Sequence, residues 1–296
     1  MISSLDRHTK VLVQGITGRM GRAHAGLMRA YGTNIVGGTS VRATPEGVDG
    51  LPVFPTCAEA VAATGAIASV VMAPPDGTRA AVEEALQAGI KLLVTPAEGV
   101  PVHDAIAIGR AARAAGAIWV GASNPGLAVP GEMKMGFLPD VCLAPGPVAI
   151  MSKSGTLSYE VGYRLVRAGL GQSIWIGVGG DAVKGLRFAD LLAPFNADPR
   201  THAIALIGEV GGAEEEEFAD LLSRTPNSKP VYALIAGREA KEGVAMGHAG
   251  ALTYGGAGTI DSKTERLTAA GARVFASMES MIQAMTADLA QHRRTR

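Results

Sequence analysis

Short apolar runs alternate with helix-like stretches along the whole chain of 296 residues, and this alternation restricts the folds that it can adopt. The runs of the first half are rich in Val, Ile and Leu and have the length of strands: Lys10–Val13, Asn34–Gly37, Ala68–Ala73, Lys91–Thr95 and Ala117–Val120. Helix-like segments such as Thr78–Ala88 and His103–Ala115 separate them. Continuous apolar strands that alternate with helices predict βαβ units around a buried parallel sheet.

The alternation is interrupted between Leu127 and Pro147, where proline and glycine are frequent. It then resumes with a second set of strand-like runs: Val148–Met151, Gln172–Val178, Ala203–Ile207, Val231–Ile235 and Arg273–Phe275. A chain of this length has room for two domains, each with its own core. The sequence therefore predicts two doubly wound α/β domains, at residues 1–126 and 147–296, joined by a connector at residues 127–146.

Composition argues against several other classes of function. The formal net charge is zero, so the charge balance favours neither nucleic acid nor an anionic membrane surface as a partner. Cys57 and Cys142 lie far apart without CxxC spacing, which predicts neither a disulfide framework nor a zinc site. No apolar run reaches the roughly 18 residues that a bilayer span requires, and the N-terminus lacks the apolar segment of a secretory signal. We therefore expect a cytoplasmic protein.

The first of four glycine-rich places, Gly15 to Gly21, follows the strand at Val11–Val13 directly. Glycines let backbone N–H groups approach a phosphate, and the N-terminus of the following helix favours negative charge. An NAD site would usually place an acidic residue at the end of the second strand, but Val36–Thr39 contains none and Arg42 follows. Arg42 suits a ribose phosphate, which coenzyme A carries and NAD lacks. The alternative is a tight turn without a ligand.

The other three places follow strands of the second half. Ser154-Gly155-Thr156 begins a helix and offers an anion cradle, although simple capping of that helix would explain the same residues. Glu209 ends an apolar strand, where it is either a site residue or a cap. His248 lies among small residues with no Cys or second His at ligand spacing, so we predict no metal there. Taken alone, His248 is more typical of a structural histidine than of a catalytic one.

Together these places resemble the α subunit of succinyl-CoA synthetase (succinate–CoA ligase), and the likeness runs nearly from end to end. The strongest matches are Gln14-Gly15, Thr17-Gly18, Tyr31-Gly32-Thr33, Gly50-Leu51-Pro52-Val53-Phe54, Ser154-Gly155-Thr156-Leu157, Gly179-Gly180-Asp181, Ile207-Gly208-Glu209 and Met246-Gly247-His248-Ala249-Gly250-Ala251. Several separate motifs in the same order are more specific than any one of them.

The resemblance implies an N-terminal Rossmann-like CoA-binding domain followed by a flavodoxin-like doubly wound ligase domain. It implies an acid–thiol ligase that forms succinyl-CoA, or runs in reverse, as in the tricarboxylic acid cycle, with ADP or GDP as the other product. It also implies a β subunit with an ATP-grasp domain, in a heterodimer or heterotetramer. That subunit would bind most of the ATP or GTP and its Mg²⁺.

The resemblance also implies roles for individual residues. His248 would carry the phosphoryl group, and Glu209 would accept a hydrogen bond from its ring. The phosphohistidine would meet the helix N-terminus at Ser154, Gly155 and Thr156, and Tyr159 would contact the carboxylic acid. The residues that would bind coenzyme A are the phosphate loop Thr17, Gly18, Arg19 and Met20, the following Arg42, and the turn Pro96, Ala97 and Glu98.

Three departures from the family pattern concern the substrate. The family usually has a lysine at the position of Ala43, and Arg42 is a candidate to replace its charge. The turn at residues 121–126 lacks the family's cysteine. The loop after Asp181, usually Pro-x-Pro-Gly-Ser, here carries Lys184 and Arg187. Either these cations accommodate a different or more polar acid, or they face solvent or the β subunit.

Three alternatives to a succinate ligase therefore stay open. The same mechanism would serve malate, another small dicarboxylate or a sulfur-substituted analogue. A non-catalytic CoA-binding protein would keep the fold alone. Residues 18–22 are also similar to the cofactor loop of dihydrodipicolinate reductases, which are nicotinamide-dependent, but those enzymes need a paired-histidine motif and the sequence contains none.

Overall fold

The computed structural model describes residues 2–42, 46–226, 229–239, 248, 250–251, 253 and 258–294. Its contacts divide the chain into two compact units. The first comprises Ser3–Leu138 and Val183–Leu186, and the second comprises Ile2, Pro139–Ala182 and the chain from Arg187 onwards. Among the described residues, no helix is both long and apolar enough to cross a membrane.

The first unit is built on a six-stranded parallel sheet with the order β3-β2-β1-β4-β5-β6. Its strands are β1 (Val11–Gln14), β2 (Ile35–Thr39), β3 (Val53–Phe54), β4 (Ala68–Val71), β5 (Leu92–Thr95) and β6 (Ile118–Gly121). The helices between them are α1 (Arg19–Tyr31), α2 (Cys57–Thr64), α3 (Thr78–Gln87) and α4 (Val102–Ala114). This strand order is that of the Rossmann fold, so the predicted architecture of the N-terminal part is confirmed.

The core of the first unit explains why its strands are apolar on both faces. Leu12 and Leu93 are fully buried, together with Val82 of α3 and Ile108 of α4. The indole Nε1 of the buried Trp119 donates a hydrogen bond of 2.8 Å to Thr95 Oγ1, so its polar atom is satisfied inside the core.

A β-hairpin occupies the beginning of the predicted connector. It consists of β7 (Gly126–Val129) and β8 (Met133–Gly136), which pair antiparallel. Lys134 is only 4% exposed, its Nζ donates to the Leu138 carbonyl, and its own carbonyl accepts from Thr33 Oγ1 at 2.7 Å. Within the predicted connector, residues through Leu138 thus belong to the first unit, and those from Pro139 to the second. The domain boundaries at residues 126 and 147 stay a prediction.

The second unit contains a parallel sheet whose strands follow the order β13-β12-β11-β9-β10. They are β9 (Pro145–Ser152), β10 (Gln172–Gly177), β11 (Ala203–Glu209), β12 (Val231–Ala236) and β13 (Arg273–Phe275). The helices are α5 (Gly155–Arg167), α6 (Phe188–Ala197), α7 (Glu214–Arg224), α8 (Ile260–Ala269) and α9 (Met278–Arg294). This order is flavodoxin-like, as predicted, and it reverses direction between β9 and β11.

A glycine in α5 gives a test of the packing in the second unit. A Cβ added at Gly162 would lie 2.4 Å from the Cζ3 atom of the fully buried Trp175. We expect Gly162→Ala to lower the free energy of unfolding by about 1–3 kcal/mol, because the tightly packed ring has to move. The matched control is Gly26→Ala in α1, where a Cβ would meet nothing within 4 Å. That variant should gain up to about 1 kcal/mol, because alanine favours helix. Urea denaturation measures the free energy of unfolding of both variants. Equal stabilities of the two would contradict this account of the packing.

Candidate functional site

The carboxyl ends of β9 and β11 lie side by side where the strand order of the second sheet reverses. Beyond β9 the chain passes through Lys153 into α5, and β11 ends at Glu209. Open α/β sheets bind ligands in the crevice at such a point. The fold therefore brings two of the predicted site segments, Ser154–Thr156 and Glu209, to the same edge of one sheet.

The start of α5 is capped by Ser154, whose Oγ accepts a hydrogen bond of 3.3 Å from the Leu157 N–H. Capping and anion binding are compatible, because one side chain satisfies one of several N–H groups that a helix start leaves without a helical partner. The first turn of α5 contains no acidic residue, and Thr156 is exposed. The positive end of this helix dipole therefore favours an anion.

The ring of His248 is held by Glu209. Its Nδ1 lies 2.6 Å from Glu209 Oε2, with the glutamate side chain 9% exposed and the histidine side chain 30% exposed. A carboxylate only accepts hydrogen bonds, so Nδ1 is the donor in this contact. The contact therefore fixes the tautomer in which the neutral ring keeps its lone pair on Nε2.

Gly180 lies against the same ring. A Cβ at this position would lie 2.5 Å from His248 Cγ, so only glycine leaves room for the imidazole. The Gly250 N–H donates to the Gly180 carbonyl at 3.2 Å, and the Ala251 N–H donates to the His248 carbonyl at 3.1 Å. Gly180 was part of a matching motif but was not predicted as a site residue; the glycine pair after an apolar strand was the only signal.

Beneath this edge lies a buried group of charges, which we term the lysine–glutamate cluster: Lys153, Glu214, Glu215, Glu216 and Lys263. Glu215 is fully buried and contacts both lysines, with Lys153 Nζ at 2.9 Å and Lys263 Nζ at 2.5 Å. Lys263 also donates to Glu216 at 2.9 Å. Four glutamates in the first turn of a helix suit its dipole and are expected to be solvated, but Glu214, Glu215 and Glu216 are buried.

Opposite charges decide the protonation of the lysine–glutamate cluster. Burial disfavours the Glu215 carboxylate, but Lys153 and Lys263 outweigh this effect and hold the pKa of Glu215 below its usual value. Burial likewise lowers the pKa of Lys153, yet Glu215 and Glu214 outweigh it and raise that pKa above the ordinary lysine value. The Glu209 carboxylate acts on Lys153 in the same direction. Lys153 and Glu215 are therefore charged at neutral pH.

In the first unit, the predicted phosphate loop and the segment that follows β2 meet at Ser40. The Ser40 hydroxyl lies 2.6 Å from Thr17 Oγ1 and accepts the Arg42 N–H at 3.0 Å. Gly18 is the N-cap of α1, without a side chain to cap it, and a Cβ at Gly21 would lie 2.1 Å from the Gly15 carbonyl oxygen. This close loop at a helix start, without an acidic residue in its first turn, fits phosphate groups.

The remaining predicted residues are placed as follows. Arg19, Met20 and Arg42 are exposed. Pro96, Ala97 and Glu98 follow β5 at the same edge of the sheet as the phosphate loop, and only Glu98 is exposed. Ala43, at the position of the family lysine, lies outside the described residues, as do Met246, Gly247 and Ala249.

Two further residues of the second unit, Tyr159 and Arg187, were singled out in the sequence as candidates to contact a carboxylic acid. Tyr159 is half-buried, its ring centroid lies 6.2 Å from that of Trp175, and burial raises the pKa of its hydroxyl. The Arg187 guanidinium forms an exposed ion pair of 2.7 Å with Glu217, on α7. One of the two cations that the sequence suggested for the acid is therefore paired with a neighbouring helix.

Comparison with known proteins gives concordant matches. A family model described as "CoA binding domain" matches residues 6–99, and one described as "CoA-ligase" matches residues 151–273. The chain is 45% identical to a succinate–CoA ligase [ADP-forming] subunit alpha of Aquifex aeolicus, over 92% of this chain and 89% of the relative. It is 42% identical to the ADP-forming sulfoacetate-CoA ligase subunit SauD of Bilophila wadsworthia, over 91% of this chain and 93% of the relative.

A solved structure shows the same fold. ATP citrate lyase from Methanothrix soehngenii, in complex with citrate and coenzyme A, superposes with a TM-score of 0.87 at 24% sequence identity. The match covers 98% of this chain and 51% of the longer lyase chain. At this identity the likeness concerns architecture alone.

The support of His248 by Gly180 is testable without any activity. In Gly180→Ala the ring has to retreat by about 1 Å, because carbon atoms in contact lie about 3.5 Å apart. We expect the ring to separate from Glu209 and to lose its fixed tautomer. NMR of the ¹⁵N-labelled histidine ring nitrogens measures this, with His248→Asn to assign the signals and Gly26→Ala as the control. An unchanged His248 signal in Gly180→Ala would show that Gly180 does not determine the position of the ring.

Proposed function

Because the chain belongs to the family of succinate–CoA ligase α subunits, and is thus an acid–thiol ligase subunit with a CoA-binding domain, we propose that it transfers a phosphoryl group through His248. The observation that carries the proposal is the 2.6 Å contact between His248 Nδ1 and the buried Glu209. A carboxylate that holds one ring nitrogen prepares the other as a nucleophile.

The first step is phosphorylation of His248. Its Nε2 lone pair attacks the terminal phosphorus of the nucleoside triphosphate, the N–P bond forms, and the bond to the leaving nucleoside diphosphate breaks. Positive charge develops on the imidazole as this happens. Glu209 stabilises that charge through Nδ1–H and keeps the ring in one orientation.

The second step transfers the phosphoryl group from His248 to the carboxylic acid. The N-terminus of α5, at Ser154, Gly155 and Thr156, provides N–H groups and a positive dipole end for the phosphohistidine. His248 then gives the phosphoryl group to a carboxylate, which yields an acyl phosphate, and Tyr159 contacts that acid. Coenzyme A supplies the thiol that takes the acyl group, and inorganic phosphate leaves.

The first unit holds coenzyme A. We assign its phosphates to the loop Thr17, Gly18, Arg19 and Met20 and its ribose phosphate to Arg42, with Pro96, Ala97 and Glu98 as a second contact. The close glycine loop and the contacts at Ser40 support this assignment, because they bring the Thr17 hydroxyl and the main chain of Arg42 together beside the start of α1.

The family membership implies a β subunit. We propose that it contains an ATP-grasp domain, binds ATP or GTP with Mg²⁺, and joins this chain as a heterodimer or heterotetramer in the cytoplasm. The phosphoryl donor of the first step would then come from the partner.

Succinate is the proposed acid, and a sulfonated acid is the second candidate. Relatives named as succinate–CoA ligase α subunits reach 45% identity, but two named as sulfoacetate–CoA ligase subunits reach 42% and 41%. These values are too close to separate the two substrates. The altered loop after Asp181 favours the second candidate, and the pairing of Arg187 with Glu217 removes part of that argument.

The phosphohistidine is the first prediction of this function. The chain co-expressed with its β subunit should form an acid-labile, base-stable phosphoprotein from γ-labelled ATP or GTP. His248→Asn should abolish the label, and Glu209→Gln should slow labelling about a hundredfold or more, because the ring loses its charged partner. The exposed His202→Asn variant is the control.

The purified phosphoenzyme, mixed with coenzyme A and succinate, malate or sulfoacetate in turn, identifies the acid by the rate at which label is lost. Labelling of His248→Asn would refute the mechanism.

A second prediction concerns Arg42. If its guanidinium binds the ribose phosphate, Arg42→Ala should weaken coenzyme A binding about tenfold, the value of one charge-assisted contact. Dephospho-coenzyme A lacks that phosphate and should bind both forms equally. Titration calorimetry measures the affinity for both ligands, with Lys91→Ala as the control for loss of a surface charge. An equal loss for both ligands would place Arg42 elsewhere on the coenzyme.

A further inference from the structure

The side chain of Glu215 bonds to the backbone that carries Glu209. Its Oε1 accepts the Glu209 N–H at 3.0 Å. The same oxygen lies 2.5 Å from where a Cβ at Gly208 would be, so its carboxylate takes the place of a side chain on the preceding residue. Glu215 therefore shapes the last two residues of β11, and the second of them holds the ring of His248.

Two buried lysines give the Glu215 carboxylate a single orientation. Lys153 Nζ and Lys263 Nζ both contact it, and Lys263 Nζ also donates to the Gly212 carbonyl at 2.9 Å. Glu215 and Lys263 are fully buried, where an unpaired charge is very costly. The carboxylate therefore stays between the lysines, and the Glu209 N–H meets an acceptor that does not move.

Lys153 connects Glu215 to the end of β9, the other strand that borders the crevice. It directly precedes Ser154, the cap of α5, and its own N–H donates to the Ile207 carbonyl at 3.1 Å. The Glu209 carboxylate is among the charges that raise the pKa of Lys153, so this cation interacts with Glu209 as well as with Glu215. Glu215 is thus bonded to residues at the ends of both β9 and β11.

We propose that Glu215 is a positioning residue for the phosphoryl transfer, because it fixes the end of β11 so that the Glu209 carboxylate meets His248 Nδ1. This rests on the function proposed above, since it concerns the same histidine. Well-packed apolar residues would supply stability equally well in place of a buried ion pair. The lysine–glutamate cluster is therefore assigned a role in orientation, which an apolar replacement would not keep.

The test compares two double variants in the complex with the β subunit. Both remove one anion and one cation: Glu215→Leu with Lys263→Met, and Glu215→Gln with Lys263→Met. The glutamine keeps an oxygen for the Glu209 N–H and the leucine does not. We expect the leucine variant to phosphorylate His248 about 10- to 100-fold more slowly than the wild type, as small misplacements of reacting groups do. The glutamine variant should restore the rate to within about threefold, because it keeps the hydrogen bond.

A second readout does not depend on turnover. ¹⁵N NMR of the histidine ring should show a fixed His248 tautomer in the wild type and the glutamine variant, and a mixture of tautomers in the leucine variant. Asp220→Asn is the control, because the exposed Asp220 of α7 pairs with Arg266 of α8 outside the lysine–glutamate cluster and should leave rate and tautomer unchanged. If the wild type forms no phosphohistidine, the proposed function fails, but the tautomer comparison still decides the role of Glu215.

Equal rates and equal ring signals in the leucine and glutamine variants would overturn the proposal. Should the leucine variant fail to fold, Glu215→Asp decides, because it keeps the charge between the lysines and withdraws the carboxylate by one methylene. We expect Glu215→Asp to slow phosphorylation and mix the tautomers. An aspartate variant with the wild-type rate and signals would overturn the proposal as well.

Discussion

The orientation of the His248 ring depends on its contact with a buried carboxylate. Here that contact is the Glu209 carboxylate, 2.6 Å from Nδ1. It exists because β11 ends at Glu209 and because Gly180 leaves room for the ring. The parallel sheet supplies the rest, since it ends β9 and β11 at the same edge and thereby puts a helix N-terminus beside the carboxylate. The chemistry proposed for this unit therefore depends on its strand order.

Burying that carboxylate has an energetic consequence. Glu209, Glu214, Glu215 and Glu216 all lie in the interior near this edge, and buried anions are stable only when cations and hydrogen bonds compensate their lost hydration. Lys153 and Lys263 provide the cations, and the Glu209 and Phe188 N–H groups donate to carboxylates of the cluster. Removing one partner from such a cluster typically costs about 3–5 kcal/mol. The site is therefore rigid at its base, while His248 at its surface is 30% exposed.

The alternation of apolar strands and helices was sufficient to predict both α/β folds, because buried parallel strands leave a clear pattern in the sequence. It did not reveal the hairpin at Gly126–Gly136, where the frequent glycines and prolines hid two short strands. Glu209 and His248 were identified as a pair only through the resemblance to a known family, since they lie 39 positions apart in the sequence. Glu215 was missed because a run of glutamates at a helix start is usually solvated. Its burial depends on Lys153 and Lys263, which are remote in sequence and are brought to it only by the fold.

The residues that carry the proposed chemistry say little about which acid is activated. In the proposed reaction, His248, Glu209 and the start of α5 act on a phosphoryl group and on one carboxylate, and succinate, malate and sulfoacetate all have such a carboxylate. Discrimination between succinate and a sulfonated acid must come from groups that meet the far end of the molecule. Both far ends are anionic, so a cation alone would not separate a planar carboxylate from a tetrahedral sulfonate. Geometry around that group has to do so. Arg187 is already paired with Glu217, and Tyr159 offers a hydroxyl that stays protonated at neutral pH. A neutral donor of fixed direction distinguishes these two shapes better than a mobile charge, which makes Tyr159 the more informative residue for the choice of acid.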